Sequence, residues 1–141
     1  MNNMRIYISG KIGEEVISDA TREKFARAER MLEKHFNPEF DMIVDPASEA
    51  FQDTMRQALE RRGLRQDLPH ILLYDLHWLQ RCDAIYMLAD WTDSDGANVE
   101  LDFARATGKR IFWEREEDAQ CFYGDDETVE DVWLPIEGGE R

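Results

Sequence analysis

Basic residues are scarce in this sequence: 17 lysines and arginines stand against 31 acids, a formal net charge of −14. A protein that holds a nucleic-acid polymer needs clustered Lys and Arg on its surface, so that class of partner is not expected. A single nucleotide needs only local donors and stays open. Cysteine is nearly absent. Cys82 and Cys121 have neither close pairing nor metal-type spacing, so reduced thiols in the cytoplasm are the expectation. No run is long and apolar enough to span a membrane. The opening "MNNMRIYISG" enters a strand-like pattern with no secretory hydrophobic region.

Several chemical signatures are missing as well. There is no G-x-S-x-G elbow for a serine nucleophile, and Cys82 sits at a helix-to-strand junction as a structural thiol. His35, His70 and His77 fit no zinc spacing with another His or Cys. The acidic loop "DWTDSDG" suggests calcium, but an EF-hand register on Gly96 puts Trp91 first and Asp102 twelfth, where the strongest oxygen ligands belong. No metal is expected. "ISGKIG" lacks the glycine order of either phosphate-loop fingerprint, yet a Gly-bearing turn after a strand lets backbone N–H groups approach an anion.

What is present is enough apolar material for one core: 43% hydrophobic residues in 141. "MRIYIS" reads as a buried strand, and Ala20, Phe25, Ala28, Met31, Leu32 and Phe36 line one face of a helix that Ser18 or Asp19 caps. "FDMIVDP", "DAIYMLAD" and "KRIFWE" read as further strands. "SEAFQDTMRQALERRG", "LPHILLYDLHWLQRC" and "GANVELDFARATG" read as helices, the last with Gly108 just beyond its end. Alternating strands and helices predict a single α/β domain: a three-layer, Rossmann-like fold with a parallel sheet of four to five strands. Ligands of such sheets bind beyond the carboxyl ends of the strands. Those ends carry Ser9-Gly10-Lys11, Asp45-Pro46, Asp90-Trp91 and Glu114. From Arg115 to Arg141, ten acids meet two arginines. This segment is expected to be a solvated acidic tail, with at most a short strand around Val132 to Pro135.

Two carboxylates flank the third strand: Asp75 on the helix before it and Glu100 on the helix after it. Two carboxyl groups across a small cleft can cleave a glycosidic bond, one attacking the anomeric carbon and one protonating the leaving group. Spacing alone favours reading them as helix-surface acids, because this chain is rich in acids and an acid near a helix start is favourable in itself.

The order of motifs adds to this. Asp75-Leu76 on a helix, an apolar strand from Asp83 to Leu88, the S-x-G-x-x-x-E run Ser94 to Glu100 and Gly108-Lys109-Arg110-Ile111 occur together, behind an opening "RIYISGKI". From Met4 to about Trp113 this resembles the nucleoside 2-deoxyribosyltransferase superfamily, including the 2′-deoxynucleoside 5′-phosphate N-hydrolases and small phage-associated relatives. The resemblance implies cleavage or transfer at the N-glycosidic bond of a 2′-deoxynucleoside or its 5′-monophosphate. Glu100 would form a glycosyl-enzyme intermediate and Tyr7 would orient it. Asp75 would protonate the departing base or help hold the sugar. Ser9, Gly10, Lys11, Ile12, Asp45 and Gly96 would surround the substrate, Ser94 would meet its 5′ end, and Trp91 would stack on a base. Water as acceptor makes a hydrolase and a second base makes a transferase. The resemblance implies no metal or organic cofactor, and a homodimer whose neighbour helps close the site. The alternative on the same fold is a non-catalytic nucleotide-binding module.

Overall fold

The computed structural model describes residues 4–13, 16–36, 42–123 and 129–136. Four strands carry the framework: β1 (Arg5–Ser9), β2 (Met42–Val44), β3 (Ala84–Met87) and β4 (Arg110–Trp113). They form one all-parallel sheet in the order β2-β1-β3-β4. Every residue of β3 is buried, and so is all of β1 after Arg5, as a sheet covered on both faces requires. The chain runs from β1 out to β2, then crosses back over β1 to reach β3. The topological switch therefore lies between β1 and β3, and a crevice opens at their carboxyl ends.

The helices are α1 (Asp19–His35), α2 (Glu49–Arg61), α3 (Leu68–Gln80), α4 (Asp95–Ala106), α5 (Glu116–Tyr123) and α6 (Val129–Val132). A 3₁₀ turn at Trp91–Asp93 precedes α4. Right-handed crossovers place α1 on one face of the sheet and α2, α3 and α4 on the other. Four helix starts use the same device. The side chains of Ser18, Ser48, Asp67 and Ser94 accept the N–H of Thr21, Phe51, His70 and Ala97, at 3.2, 3.1, 3.4 and 3.1 Å. Helices α2 and α4 stop at Gly63 and Gly108, with φ of 67° and 74°. In each, the residue after the glycine bonds back to the last full turn: Leu64 N–H to Leu59 O at 2.9 Å, and Lys109 N–H to Ala104 O at 3.0 Å.

The acidic C-terminal segment departs from expectation. Its described residues form α5 and α6, and Ala119, Val132, Leu134 and Ile136 join the core. The strand expected at Val132 to Pro135 is a single parallel bridge, Trp133 to Trp113. Leu134 N–H donates to Trp113 O at 2.9 Å, and the Tyr123 hydroxyl donates to Ile111 O at 2.9 Å. The physical reason is that the acids at positions 116–118, 130 and 131 open the helices on their solvent sides, while the apolar residues between them cover β4. The acids at 125–127, 137 and 140 lie outside the described residues, as do Phe40 and Asp41 at the expected start of β2. Among the described residues no helix is long and apolar enough to cross a membrane.

Candidate active site

Side chains alternate along a strand, so Tyr7 and Ser9 project from the same face of β1. Helix α4 lies over that face. Its inward stripe is Ala97, Glu100, Leu101 and Ala104, which sets a carboxyl group among apolar neighbours. Glu100 is 5% exposed. The Tyr7 hydroxyl donates to its Oε2 at 2.9 Å and the Ser9 hydroxyl donates to its Oε1 at 2.6 Å. Both oxygens are thus held by hydroxyl donors from one strand, and the carboxyl plane is set by the pleat of β1.

Electrostatics follow from this burial. Desolvation pushes the Glu100 carboxyl up to about 7, against the pull of the Ser9 and Tyr7 hydrogen bonds, which favour its charged form. Asp75, on α3, is raised well above the usual carboxylate range, first by burial and then by the charge of Glu100, while contact with the Tyr7 hydroxyl opposes the shift. Its Oδ1 is fully enclosed and has no hydrogen-bond partner. Tyr7 is raised by burial and by both carboxylates, so its proton stays on the ring oxygen. The arrangement separates two acids of one cluster. Burial pushes both toward their protonated forms, and Glu100, with hydrogen bonds from two hydroxyls, is the one whose charged form is better supported.

These groups form the floor of a cavity of about 600 Å³ at the switch point of the sheet. The turn after β1 supplies Gly10, Lys11, Ile12 and Gly13; the start of α4 supplies Ser94, Asp95, Gly96 and Ala97. Gly10 has a packing reason: a Cβ there would stand 2.6 Å from Leu88 Cδ1 and 2.9 Å from its Cβ. At Gly96 a Cβ would meet nothing in the protein nearer than Ser94 Oγ, at 3.9 Å. Its bareness serves the cavity and not the core.

Tyr7, Gly10, Lys11, Ile12, Asp75, Ser94, Gly96 and Glu100 come together here. Three predicted site residues do not line the cavity. Ser9 is 1% exposed and its hydroxyl is committed to Glu100. Asp45 turns toward α1. Its Oδ1 accepts Ala47 N–H at 3.0 Å, and it pairs with Glu29, whose carboxyl is pushed up to about 7 by burial and then by the charge of Asp45. Trp91 stacks edge-on against Trp113, with ring centres 5.6 Å apart, and its indole N–H donates to Asp118 at 3.1 Å. It is tied to the α5 side.

Sequence reasoning also missed a whole wall. Gln52 and Met55 of α2, Gln66 of the following loop, and Leu68, Ile71 and Leu72 of α3 close the cavity opposite α4. Gln52 Nε2 donates to Pro46 O at 2.7 Å, so the amide is oriented with its oxygen free. Only the packing of α2 on α3, and of α3 against β1, reveals this wall. For Glu100 a local signal did exist: a carboxylate on the i, i+3, i+4, i+7 stripe of an otherwise apolar helix face. Among the described residues no cluster of three or more His, Cys, Asp or Glu could hold a metal ion. Cys82 is buried, and its thiol is pushed up to about 11 by that burial.

Residues 4–113 match the family model described as "Domain of unknown function (DUF4406)". No curated protein matches the chain. The matched span runs from the start of β1 to the end of β4 and includes every residue of the Tyr7–Ser9–Asp75–Glu100 cluster. The chain belongs to that family.

Proposed function

We propose that this member of the family cleaves or transfers at the N-glycosidic bond of a 2′-deoxynucleoside or its 5′-monophosphate. One observation carries the reading: Glu100, buried and held on both oxygens by Tyr7 and Ser9, shares a cavity wall with Asp75. The motif order that resembles nucleoside 2-deoxyribosyltransferases supports the same chemistry. In the reaction, a Glu100 oxygen attacks C1′ on the face opposite the base. The C1′–N bond breaks, its electron pair goes to the base, and the base takes the proton of Asp75. The sugar is then bound to Glu100 as an ester. Water or a second base attacks C1′, frees the carboxylate and returns a proton to Asp75. Negative charge at Glu100 also stabilises the oxocarbenium-like transition state in an enclosed site.

The cavity size suits a nucleoside. Its apolar wall of Ile71, Leu72 and Met55 faces the base, with the Gln52 amide oxygen as a hydrogen-bond acceptor. Lys11, Ser94 and Gly96 surround the 5′ end. Helix α3 also leaves Leu68 and Leu73 exposed, at 58% and 66%. A second copy packed on Leu68, giving a homodimer, would close the mouth beside it. The reaction belongs in the cytoplasm, where Cys82 and Cys121 stay reduced.

The test is chromatography of free base after incubation with a panel of deoxynucleosides and their 5′-monophosphates. Wild type is expected to release base and Glu100→Gln to release none. No release from any member, together with unchanged nucleoside binding by Glu100→Ala, would show a binding module instead.

A further inference from the structure

The turn that roofs the cavity is gripped from outside it. Lys24, on α1, sends its Nζ to the Lys11 carbonyl oxygen at 2.6 Å and to Asp90 Oδ2 at 2.6 Å. Asp90 Oδ1 in turn accepts the Lys11 N–H at 3.0 Å. One ion pair therefore satisfies both backbone polar groups of Lys11. Neither Lys24 nor Asp90 lines the cavity, whereas Gly10 to Gly13 do. The end of β3 completes the grip: Leu88 N–H donates to Ser9 O at 2.8 Å, and Leu88 fills the space that a side chain at Gly10 would need.

An ordinary ion pair with both side chains 31% exposed adds little to folding. This one is different in what it holds. Both charges are bonded to the peptide groups of a turn whose described residues belong to no strand or helix. Three segments distant in sequence, the β1 turn, α1 and the loop after β3, meet at a single peptide. The pair orders the turn before a ligand arrives, so binding does not have to order it.

We infer that Lys24 and Asp90 are positioning residues of the proposed reaction, acting through the backbone of Lys11 to set the substrate-facing turn. The inference rests on the function proposed above. Because the turn meets the substrate away from the breaking bond, its loss weakens substrate and transition state alike.

The experiment compares wild type with Lys24→Met, Lys24→Arg and the swap Lys24→Asp with Asp90→Lys. Steady-state base release, hydrogen exchange of the Lys11 amide and thermal unfolding are read on each. Lys24→Met is expected to raise KM about tenfold with kcat changed less than about threefold, and to speed Lys11 exchange. Lys24→Arg keeps donors for both acceptors and is expected to restore KM to within about threefold of wild type. The swap restores opposite charges but leaves the Lys11 N–H without its acceptor. It is expected to recover the melting temperature and not KM. Unchanged KM and exchange in Lys24→Met would overturn the inference, and so would recovery of KM by the swap, since the pair would then serve stability alone. If wild type releases no base at all, the functional reading fails. Lys11 exchange and nucleoside binding by the same variants then judge the grip, and unchanged values there overturn it.

Discussion

Glu100→Gln should make the protein more stable in alkaline solution while abolishing the proposed base release. Burial holds the carboxyl at about 7 in the folded protein, against an ordinary value of 4.5. The folded state therefore binds a proton more tightly than the unfolded state. A raised carboxyl contributes its full stability below the ordinary value and loses it as pH rises through the folded one. A gap of about two and a half units at 1.36 kcal/mol each is a loss of about 3 kcal/mol across that window. Glutamine stays neutral and escapes it. The sequence pI of about 4.5 makes the acidic end of the window a poor place for solution work. Between about pH 5.5 and about pH 8.5, roughly 2 kcal/mol of the difference remains. For a chain of this size that is about 6–8 °C in melting temperature. Glu29 titrates in both proteins and largely cancels in the comparison, whereas Asp75 loses the upward push of the Glu100 charge in the variant and so adds to the difference in the same direction. The assay is calorimetry or urea unfolding of both proteins across the range. Near pH 5.5 the variant should gain little, and near pH 8.5 it should gain the additional 2 kcal/mol or so. A stability difference that does not change with pH would refute the reasoning, because the buried carboxylate would then carry no desolvation penalty.

Four further outcomes test the placement of particular residues. Ser9→Ala removes a charge-assisted hydrogen bond of about 1.5–3 kcal/mol, so the acid limb of the kcat/KM profile should move up by about one to two pH units; a fixed limb would free Ser9 of any role at Glu100. Gly10→Ala brings a methyl within 2.6 Å of Leu88 Cδ1 and should cost about 1–3 kcal/mol in urea unfolding, with a raised KM. Leu134→Ala should cost about 2–4 kcal/mol, since the residue is 5% exposed; an unchanged midpoint would return the segment to the status of a tail. Trp91→Phe should leave KM unchanged, because the indole faces Trp113 and Asp118; a rise of tenfold or so would put its ring back against the substrate.

Much of the fold was legible because local rules agree with one another along this chain. Ser18, Ser48 and Ser94 cap where a small polar residue precedes a periodic apolar run, and Gly63 and Gly108 stop helices where such runs end. Strands alternating with helices then leave a parallel sheet as the consistent solution. The C-terminal segment was misread for an opposite reason. Its acids dominate composition, and composition is averaged over a face that points to water and a face that covers β4. Asp45 and Trp91 fall outside the cavity lining because a position in the loop after a strand says nothing about which neighbours its side chain meets.

The residues by themselves determined the parallel α/β framework, and the resemblance carried by their motif order picked out Glu100, Asp75 and Tyr7 as candidates. These depend on periodicity, capping and motif order, which are local or nearly so. Tertiary structure alone decided that Ser9 serves Glu100, that α2 and α3 wall the cavity, and that Lys24 reaches Lys11 and Asp90. Ser9 and Glu100 are 91 positions apart, and Lys24 and Asp90 are 66 apart. Contacts at such separations are set by the crossing of the chain over β1, and no short window of sequence contains both partners.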